Sequence, residues 1–388
     1  MQRWLIQERL AWRDQLFANV GTRWILREKF KGAQVWHPSI DISWLVPRPI
    51  VGASIRVRGA HAVGVVAFDT STALLLVPLG TPIQERRAEK PREIELGADA
   101  QFSRVLVRAT VFTEWTRDLR IFVPVPPQPS NPFTTLGRIE NRGLEVEARA
   151  LILDRSPFRW TAVGTLALLR NRLTSAGSGD FPLVFRGSGY REGEPFGVFL
   201  EQPMTFADTN RDGRPTPDEM TFGQPRTVGT AVPTREATLR SLLELPSSGL
   251  TLGFALEHVG GHKAQNLIAL YQCIYQINCR ALQDPSASLP DQVAAVAARF
   301  ATFASPFLEN ASFTRLSEIS LRWQPWHHSL SGLRAVTVSL EARNALTITG
   351  FHGPDPEVVT ANAAQGSAIL RATPVVPREL AVRIDFDR

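Results

Sequence analysis

Apolar residues occupy every second position of the stretch Phe158-Arg159-Trp160-Thr161-Ala162-Val163-Gly164-Thr165-Leu166-Ala167-Leu168, and this pattern indicates the fold class. Its even-numbered positions carry Phe, Trp, Ala, Gly and Leu, and the positions between them carry Arg, Thr, Val and Ala. Side chains on a β-strand point alternately to opposite faces of the sheet. The stretch therefore predicts a strand with one face in an apolar medium and the other in a more polar one.

The same alternation recurs along the whole chain and predicts roughly 12–14 strands. The segments that show it best are Gln15–Leu26, Gln34–Val46, Ser54–Val66, Arg92–Ser103, Val105–Trp115, Arg142–Leu153, Phe158–Leu173, Thr238–Leu245, Leu250–Val259, Phe313–Trp323, Leu333–Ile348 and Arg378–Phe386. Strands of soluble proteins usually have about 5–6 residues, whereas tilted transmembrane strands need about 9–11. Because many of these segments are long, their length favours a transmembrane β-barrel over a soluble sandwich.

Short links between predicted strands alternate with long ones. The segments 154–157 and 246–249 are tight turns, whereas about 174–235 and about 260–310 are long excursions. Outer-membrane barrels have short periplasmic turns and long extracellular loops. We therefore predict an all-β fold, an antiparallel transmembrane β-barrel segment that forms an incomplete barrel, with both long loops extracellular. The Ala-rich stretch Asp291–Phe303 predicts one helix inside the second loop.

The composition excludes several classes of protein. Hydrophobic residues make up 44% and charged residues 21% of the 388 residues, which is typical of a folded chain. The formal net charge of +6 is basic, but the basic residues alternate with apolar ones, and neither zinc-finger spacing nor an RNP-like stretch occurs. Nucleic-acid binding is therefore not expected. No apolar run reaches the length of a transmembrane helix.

Five segments resemble the barrel of SusC/RagA-like TonB-dependent outer-membrane receptors. Ala311–Leu321 resembles the family's "F-x-R-L-x-x-I-x-L" strand, Leu333–Thr347 its "R-N-L-L-T-x-T" strand, and Gly350–Val358 its "G-x-D-P-E" loop. Earlier, Arg92–Ala100 resembles an "E-x-E-x-G-x-D" strand and Ile139–Val146 an "N-x-G-v-E" strand. The similarity extends over nearly the whole chain, so residues 1–388 correspond to the C-terminal part of such a barrel.

The resemblance implies a transporter in the cell outer membrane, in contact with outer-membrane lipid, that takes up glycans, peptides or similar large nutrients. It also implies two protein partners, TonB, which acts through a plug domain, and a SusD-like surface lipoprotein. Barrels of this family have about 22 strands around a plugged lumen, so the predicted strands account for about half.

The beginning of the chain bears on completeness. The apolar stretch in Met1–Glu8 is too short for a signal peptide, and no plug domain or TonB-contacting segment is recognised. We therefore expect a fragment of a longer receptor or a truncated reading frame. Two other functions stay open: a soluble, secreted β-rich binding module stabilised by calcium, and a non-functional remnant of a receptor.

Residues 208–213 with Glu219 match the calcium-loop pattern D-x-[DN]-x-[DN]-G-x5-E. Carboxylate and amide oxygens at these positions could surround a calcium ion. However, Pro215 and Pro217 interrupt the helix that follows the loop in an EF-hand. The sequence leaves two interpretations open, a calcium loop or a polar Asx/Gly turn that binds nothing. The candidate ligands are Asp208, Asn210, Asp212, Asp218 and Glu219.

The remaining reactive residues predict no enzyme. The two cysteines, Cys273 and Cys279, could form a small disulfide loop in an oxidising compartment or remain free thiols in the cytosol. Glu145 and Glu147 share one strand face, but glycosidase chemistry needs an opposing carboxylate and a cleft. No nucleophile elbow, P-loop or H-E-x-x-H motif occurs. We predict no catalytic residue and no required cofactor; the substrate-binding residues are not identified.

Overall fold

A computed structural model describes residues 2–26, 34–47, 52–64, 89–122, 133–177, 181–185, 188–300, 307–326, 335–357, 359–362, 367–370 and 377–387. Antiparallel β-structure dominates these residues. None of the described helices has both the length and the apolar character needed to cross a bilayer.

The main sheet contains 13 strands that neighbour one another in chain order, and every neighbouring pair is antiparallel. Its edges are the first and the last of these strands. The predicted all-β, incomplete-barrel fold is confirmed. The strands are β1 Gln2–Trp12, β2 Leu16–Leu26, β3 Gln34–Leu45, β4 Ala53–Val63, β5 Lys90–Phe102, β6 Val105–Phe122, β7 Phe133–Arg155, β8 Phe158–Ser175, β15 Arg235–Leu245, β16 Leu250–Gly260, β19 Phe313–Trp326, β20 Ala335–Thr349 and β23 Glu379–Asp387.

Shorter elements occupy the long connections. They form two four-stranded sheets, one two-stranded sheet and a group of helices. Helix α3, Leu289–Phe300, corresponds to the helix predicted from the Ala-rich stretch and begins two residues before the predicted start at Asp291. These elements are β9 Phe181–Phe185, β10 Ser188–Tyr190, β11 Val198–Glu201, β12 Met204–Phe206, β13 Met220–Phe222, β14 Arg226–Thr230, β17 Lys263–Gln265, α1 Leu267–Ile274, α2 Arg280–Gln283, α3 Leu289–Phe300, β18 Leu308–Asn310, β21 Val359–Asn362 and β22 Ser367–Leu370.

The lengths of the connections distinguish the two ends of the sheet. Ser103-Arg104, Ser156-Pro157 and 246–249 are turns at one end, which we call the short-turn end. The excursions from β8 to β15 and from β16 to β19 leave from the opposite, long-loop end. They coincide with the two loops predicted from the sequence. The connection from β20 to β23 is a further excursion at this end. The predicted strand ends at 65–66 and 333–334, and the predicted helix end at 301–303, lie outside the described residues.

One face of the sheet is mostly apolar, and we call it the outer face. Leu96, Val111, Leu144 and Leu168 are successive register partners across four strands and therefore point to the same side. Leu96 is 60% exposed and Val111 51%. Soluble proteins rarely expose an apolar surface that continues over so many strands, and a sandwich would bury it against a second sheet. An outer face of this kind is typical of a barrel wall that contacts lipid.

Aromatic residues mark both ends of the outer face. At the short-turn end the exposed residues are Trp12, Trp44, Phe102, Phe158, Trp160, Trp323 and Phe386. At the long-loop end they include Trp4 and Trp36. Barrels in outer membranes carry such aromatic girdles at the two membrane–water interfaces, so the apolar band between them has the position expected of a hydrocarbon-facing surface.

The buried apolar residues of the described chain lie mainly at the long-loop end. One cluster joins all three excursions: Phe199 and Ala231 come from the first, Ala264 and Leu270 from the second, and Phe351 from the third. The described residues of 176–234, 261–312 and 350–370 thus pack into one body, which we call the cap. Its packing holds the long connections together over that end of the sheet.

Candidate functional site

The face opposite the outer face, which we call the inner face, is lined by charged side chains. It carries both arginines and carboxylates, and most of them pair with one another. In a barrel this face lines the lumen. Its charged residues include Arg58, Glu93, Glu95, Asp99, Arg108, Glu114, Glu145, Glu147, Arg149, Arg159, Glu244, Glu257, Arg315, Glu341, Arg343, Arg383 and Asp385.

Arg58, on β4, extends along the inner face and contacts the next two strands, β5 and β6. Its Nε donates to Asp99 Oδ1 at 3.1 Å and its Nη2 to Thr110 Oγ1 at 2.5 Å. To reach them it passes over Gly97, where an added Cβ would lie only 2.7 Å from the guanidinium carbon. Gly97 and Asp99 belong to the "E-x-E-x-G-x-D" segment, so this segment supplies both the space and the counterion for an arginine of the neighbouring strand.

The "N-x-G-v-E" segment has a similar role on β7. Phe112 packs across Gly143, and an added Cβ there would collide with the ring and lie 2.8 Å from Leu168 O. Asn141 Oδ1 accepts a hydrogen bond from Asn171 Nδ2 at 2.5 Å. The other amide atom of Asn171, Oδ1, accepts from the Phe196 N–H in the cap at 2.6 Å. This segment therefore connects the inner face to the cap.

Glu145 and Glu147 are not arranged as the opposed pair of carboxylates that a glycosidase uses. Both lie on the inner face, as the alternation predicts, because their register partners are Thr110 and Arg108. Glu147 accepts from Arg149 Nε at 2.5 Å and lies 3.8 Å from Arg108. A carboxylate held by two arginines is neutralised locally and lines the wall.

The C-terminal segments meet at Arg315, which is 2% exposed. Its Nε donates to Thr347 Oγ1 at 3.0 Å, and its Nη2 lies 2.7 Å from Asp355 Oδ1. Its Nη1 donates to Glu357 and lies 3.7 Å from Glu257 Oε1. The arginine of the "F-x-R-L" strand therefore pairs with both carboxylates of the "G-x-D-P-E" loop.

The candidate calcium loop is closed by its own hydrogen bonds. The N–H groups of Gly213, Asp212 and Arg214 donate to Asp208, Asn210 and Asp212 at 3.0, 2.9 and 2.8 Å. Such side chain-to-backbone bonds are typical of Asx turns. Asp218 lies in a 3-10 turn, Pro217–Glu219, and is exposed.

The carboxylate of Glu219 is directed at backbone donors. It is buried, and its oxygens accept from the Thr209 N–H at 3.0 Å and from the Thr216 N–H and Oγ1 at 3.2 and 2.9 Å. Burial raises the pKa of Glu219, but hydrogen bonds from Thr216, Asn210 and Thr209 outweigh it and hold the pKa below its ordinary value.

This arrangement fits the turn and does not fit a calcium cage. Among the described residues, no three His, Cys, Asp or Glu side chains converge as a metal site requires. The five candidate ligands would have to rearrange, beginning with Glu219. Calcium binding at this loop stays a prediction.

Cys273 and Cys279 form a disulfide that joins the C-terminal part of α1 to the start of α2. Cys273 is buried in the cap. It lies on the same helix as Leu270, which belongs to the core of the cap. The bond closes a small loop on the surface of the cap.

No family model and no curated protein matches the chain, but solved structures do. The RagAB peptide importer in its closed-closed state aligns with a TM-score of 0.77 at 15% identity, over 99% of this chain and 47% of that chain. The same importer in its open-open state aligns with a TM-score of 0.75 at 15% identity, over 100% and 46%. The outer membrane transporter YddB from Escherichia coli aligns with a TM-score of 0.54 at 10% identity, over 88% and 41%.

The chain has the barrel fold of TonB-dependent outer-membrane transporters. The fold implied by the resemblance to SusC/RagA-like receptors is therefore confirmed, and the chain spans less than half of the importer chain that it matches. In this fold the long-loop end is extracellular and the short-turn end is periplasmic. The matched structures are a peptide importer and an outer membrane transporter.

Sequence reasoning missed three inner-face residues that organise this barrel wall. Arg315 stood inside a recognised segment, yet its partners could not be assigned from the pattern. Arg58 gave a signal only as one of the polar residues in the alternation of β4. Asn171, which joins the wall to the cap, gave no signal, because a single Asn in a strand is common.

Proposed function

We propose that the chain forms part of the barrel of a SusC/RagA-like TonB-dependent transporter of the outer membrane, which takes up glycans, peptides or similar large nutrients. The observation that carries the proposal is the two-faced sheet of 13 strands, apolar outside, charged inside and covered by the cap at its extracellular end. A lipid-facing exterior and a polar lumen are what a solute-conducting barrel requires.

The direction of the edge strands supports a larger barrel. Neighbouring strands alternate in direction, so β1 and β23, as the first and thirteenth, run the same way. Antiparallel closure then needs an odd number of further strands, and nine would complete a barrel of about 22. A second copy of this chain would meet these edges parallel. We therefore propose that this chain is the C-terminal part of a barrel whose other strands belong to the same receptor.

The partners follow from the proposed family. TonB would act through a plug domain inside the lumen, and a SusD-like lipoprotein would meet the receptor at the cell surface, where the cap lies. Peptides are one candidate class of substrate, since a peptide importer is among the matched structures. Inner-face charges of both signs, such as Arg58 with Asp99, suit a dipolar solute of this kind.

Cell fractionation tests the proposal. The protein should be found with outer membranes, require detergent for extraction, and migrate faster on SDS gels before heating than after. Loss of the gene should then abolish growth on the nutrient that it imports. Recovery from the periplasm or the medium without detergent would instead identify a soluble binding module. Absence from membranes when it is expressed with its natural upstream sequence would identify a remnant.

A further inference from the structure

The segment Phe351–Glu357, which we call the strap, crosses from the cap to the inner face. At its start, Phe351 is buried in the cap core, and the His352 N–H donates to Glu309 at 2.6 Å. At its end, Asp355 and Glu357 contact Arg315. Since Arg315 lies on the inner face two residues below the extracellular end of β19, the strap reaches over the rim into the mouth of the barrel.

Arg315 has a second set of partners on the wall itself. Glu257, Arg315 and Thr347 are register partners on three adjacent strands and form one row across the inner face. Glu257 Oε1 lies 3.7 Å from Arg315 Nη1, while Asp355 Oδ1 lies 2.7 Å from Nη2. The guanidinium thus stands between a wall carboxylate and the two carboxylates of the strap.

These carboxylates compete for one cation. One buried arginine faces three carboxylates, which leaves a surplus of negative charge around its guanidinium. Like charges in such a place repel one another, and a guanidinium that lost every carboxylate would be strongly destabilised. When the strap lifts, however, Glu257 remains beside Arg315 to neutralise it. The wall therefore provides the second stable position that a switch needs.

We propose that Arg315 is a two-position switch, which holds the strap closed with Asp355 and Glu357 and releases it by pairing with Glu257. Closed, the strap covers the inner face at the extracellular mouth. Open, it exposes that face to incoming solute. That the strap controls the entry of solute into the barrel rests on the proposed function. The switch itself rests on the contacts of Arg315.

Hydrogen exchange of the strap amides tests the switch, measured by mass spectrometry on the full chain in detergent micelles. Asp355→Asn removes the closest strap carboxylate and should speed exchange of 351–357 by about tenfold. Glu357→Gln, at a half-exposed position where folding is not at risk, should change exchange in the same direction. Glu257→Gln removes the partner of the open state and should slow exchange severalfold. Glu341→Gln, which breaks a wall pair with Arg343 away from the strap, is the matched control and should leave strap exchange unchanged.

A switch predicts that the strap variants speed exchange and that Glu257→Gln slows it, and this difference distinguishes a switch from a rigid ion cluster. In a rigid cluster Glu257 only adds support, so Glu257→Gln would speed strap exchange or leave it unaltered, and either result would overturn the proposal. Unaltered exchange in both strap variants would also overturn it. Hydrogen exchange does not depend on transport, so it tests the switch separately from the proposed function. If the exchange rates change as expected but the protein does not fractionate with membranes, the switch is supported and the proposed function is rejected.

Discussion

A pair of adjacent arginine substitutions tests which face of the sheet meets lipid. Leu166 lies on the outer face in the middle part of β8 and is 39% exposed. Its neighbour Thr165 points to the inner face, where its Oγ1 lies 2.6 Å from Thr238 Oγ1. Leu166→Arg and Thr165→Arg introduce the same side chain one position apart on the same strand. They differ only in the medium that receives it.

The magnitudes follow from the exposure of each site. An arginine on the lipid face near the bilayer midplane costs about 2–4 kcal/mol. Losing the leucine surface that contacts lipid adds about 1 kcal/mol, since only part of that side chain is exposed. Leu166→Arg should therefore lower the free energy of unfolding by about 3–5 kcal/mol. Thr165→Arg loses one hydrogen bond and should cost about 1 kcal/mol, because its charge enters the aqueous lumen.

Urea unfolding in lipid vesicles, followed by tryptophan fluorescence, measures both values. Each variant is compared with the unmodified chain at the same lipid ratio and pH. The face assignment would be refuted by equal losses in the two variants, or by a larger loss for Thr165→Arg. Either result would mean that the apolar face is not the one in contact with lipid.

Three further predictions concern the wall, the turn and the cap. Gly143→Ala should cost about 1–3 kcal/mol in the same urea titration because the methyl group collides with the Phe112 ring, whereas Gly164→Ala, with its nearest atom at 3.8 Å, should change little. The folded pKa of Glu219 is depressed by its hydrogen bonds, so its contribution to stability is complete above the unfolded pKa and is lost as pH falls through the folded pKa. Protease cleavage of residues 207–222 should therefore accelerate below about pH 4. The Glu219→Gln variant should be cleaved faster already at neutral pH. Calcium should alter neither cleavage rate, and a calcium-dependent slowing of cleavage would instead establish the calcium loop. Cys273→Ser should remove the disulfide and lower the local stability of the cap by about 2 kcal/mol. Alkylation of the unmodified protein before and after reduction, followed by mass measurement, checks the bond. Thiols that react without reduction would show that the bond does not form.

The strands were predictable because their signal is local. Alternation over consecutive residues reports the medium on each side of a strand, and it located every strand of the main sheet except β1. In β1, Glu8 interrupts the apolar series between Ile6 and Leu10, and Leu5 adds an apolar residue on the inner face. The interruption hid the period, although pairing with β2 places the strand in the sheet.

The candidate calcium loop shows the limit of a motif. The spacing of Asp208, Asn210, Asp212 and Glu219 matches a calcium loop, but the pattern contains only side chains. Whether a carboxylate meets a cation or a backbone N–H depends on the path of the main chain. In this loop the path turns the N–H groups of Thr209 and Thr216 toward Glu219.

The all-β class, the two faces of the wall and the long loops could be read from the sequence alone, because each of these depends on neighbouring residues. The shared core of the three long connections is a property of the tertiary structure. The same is true of the contact between Arg315 and Asp355, which lie 40 positions apart in the sequence. Contacts of this kind depend on which loops fold back over the mouth of the barrel. That choice is made by the packing of the whole cap, which no local pattern of residues encodes.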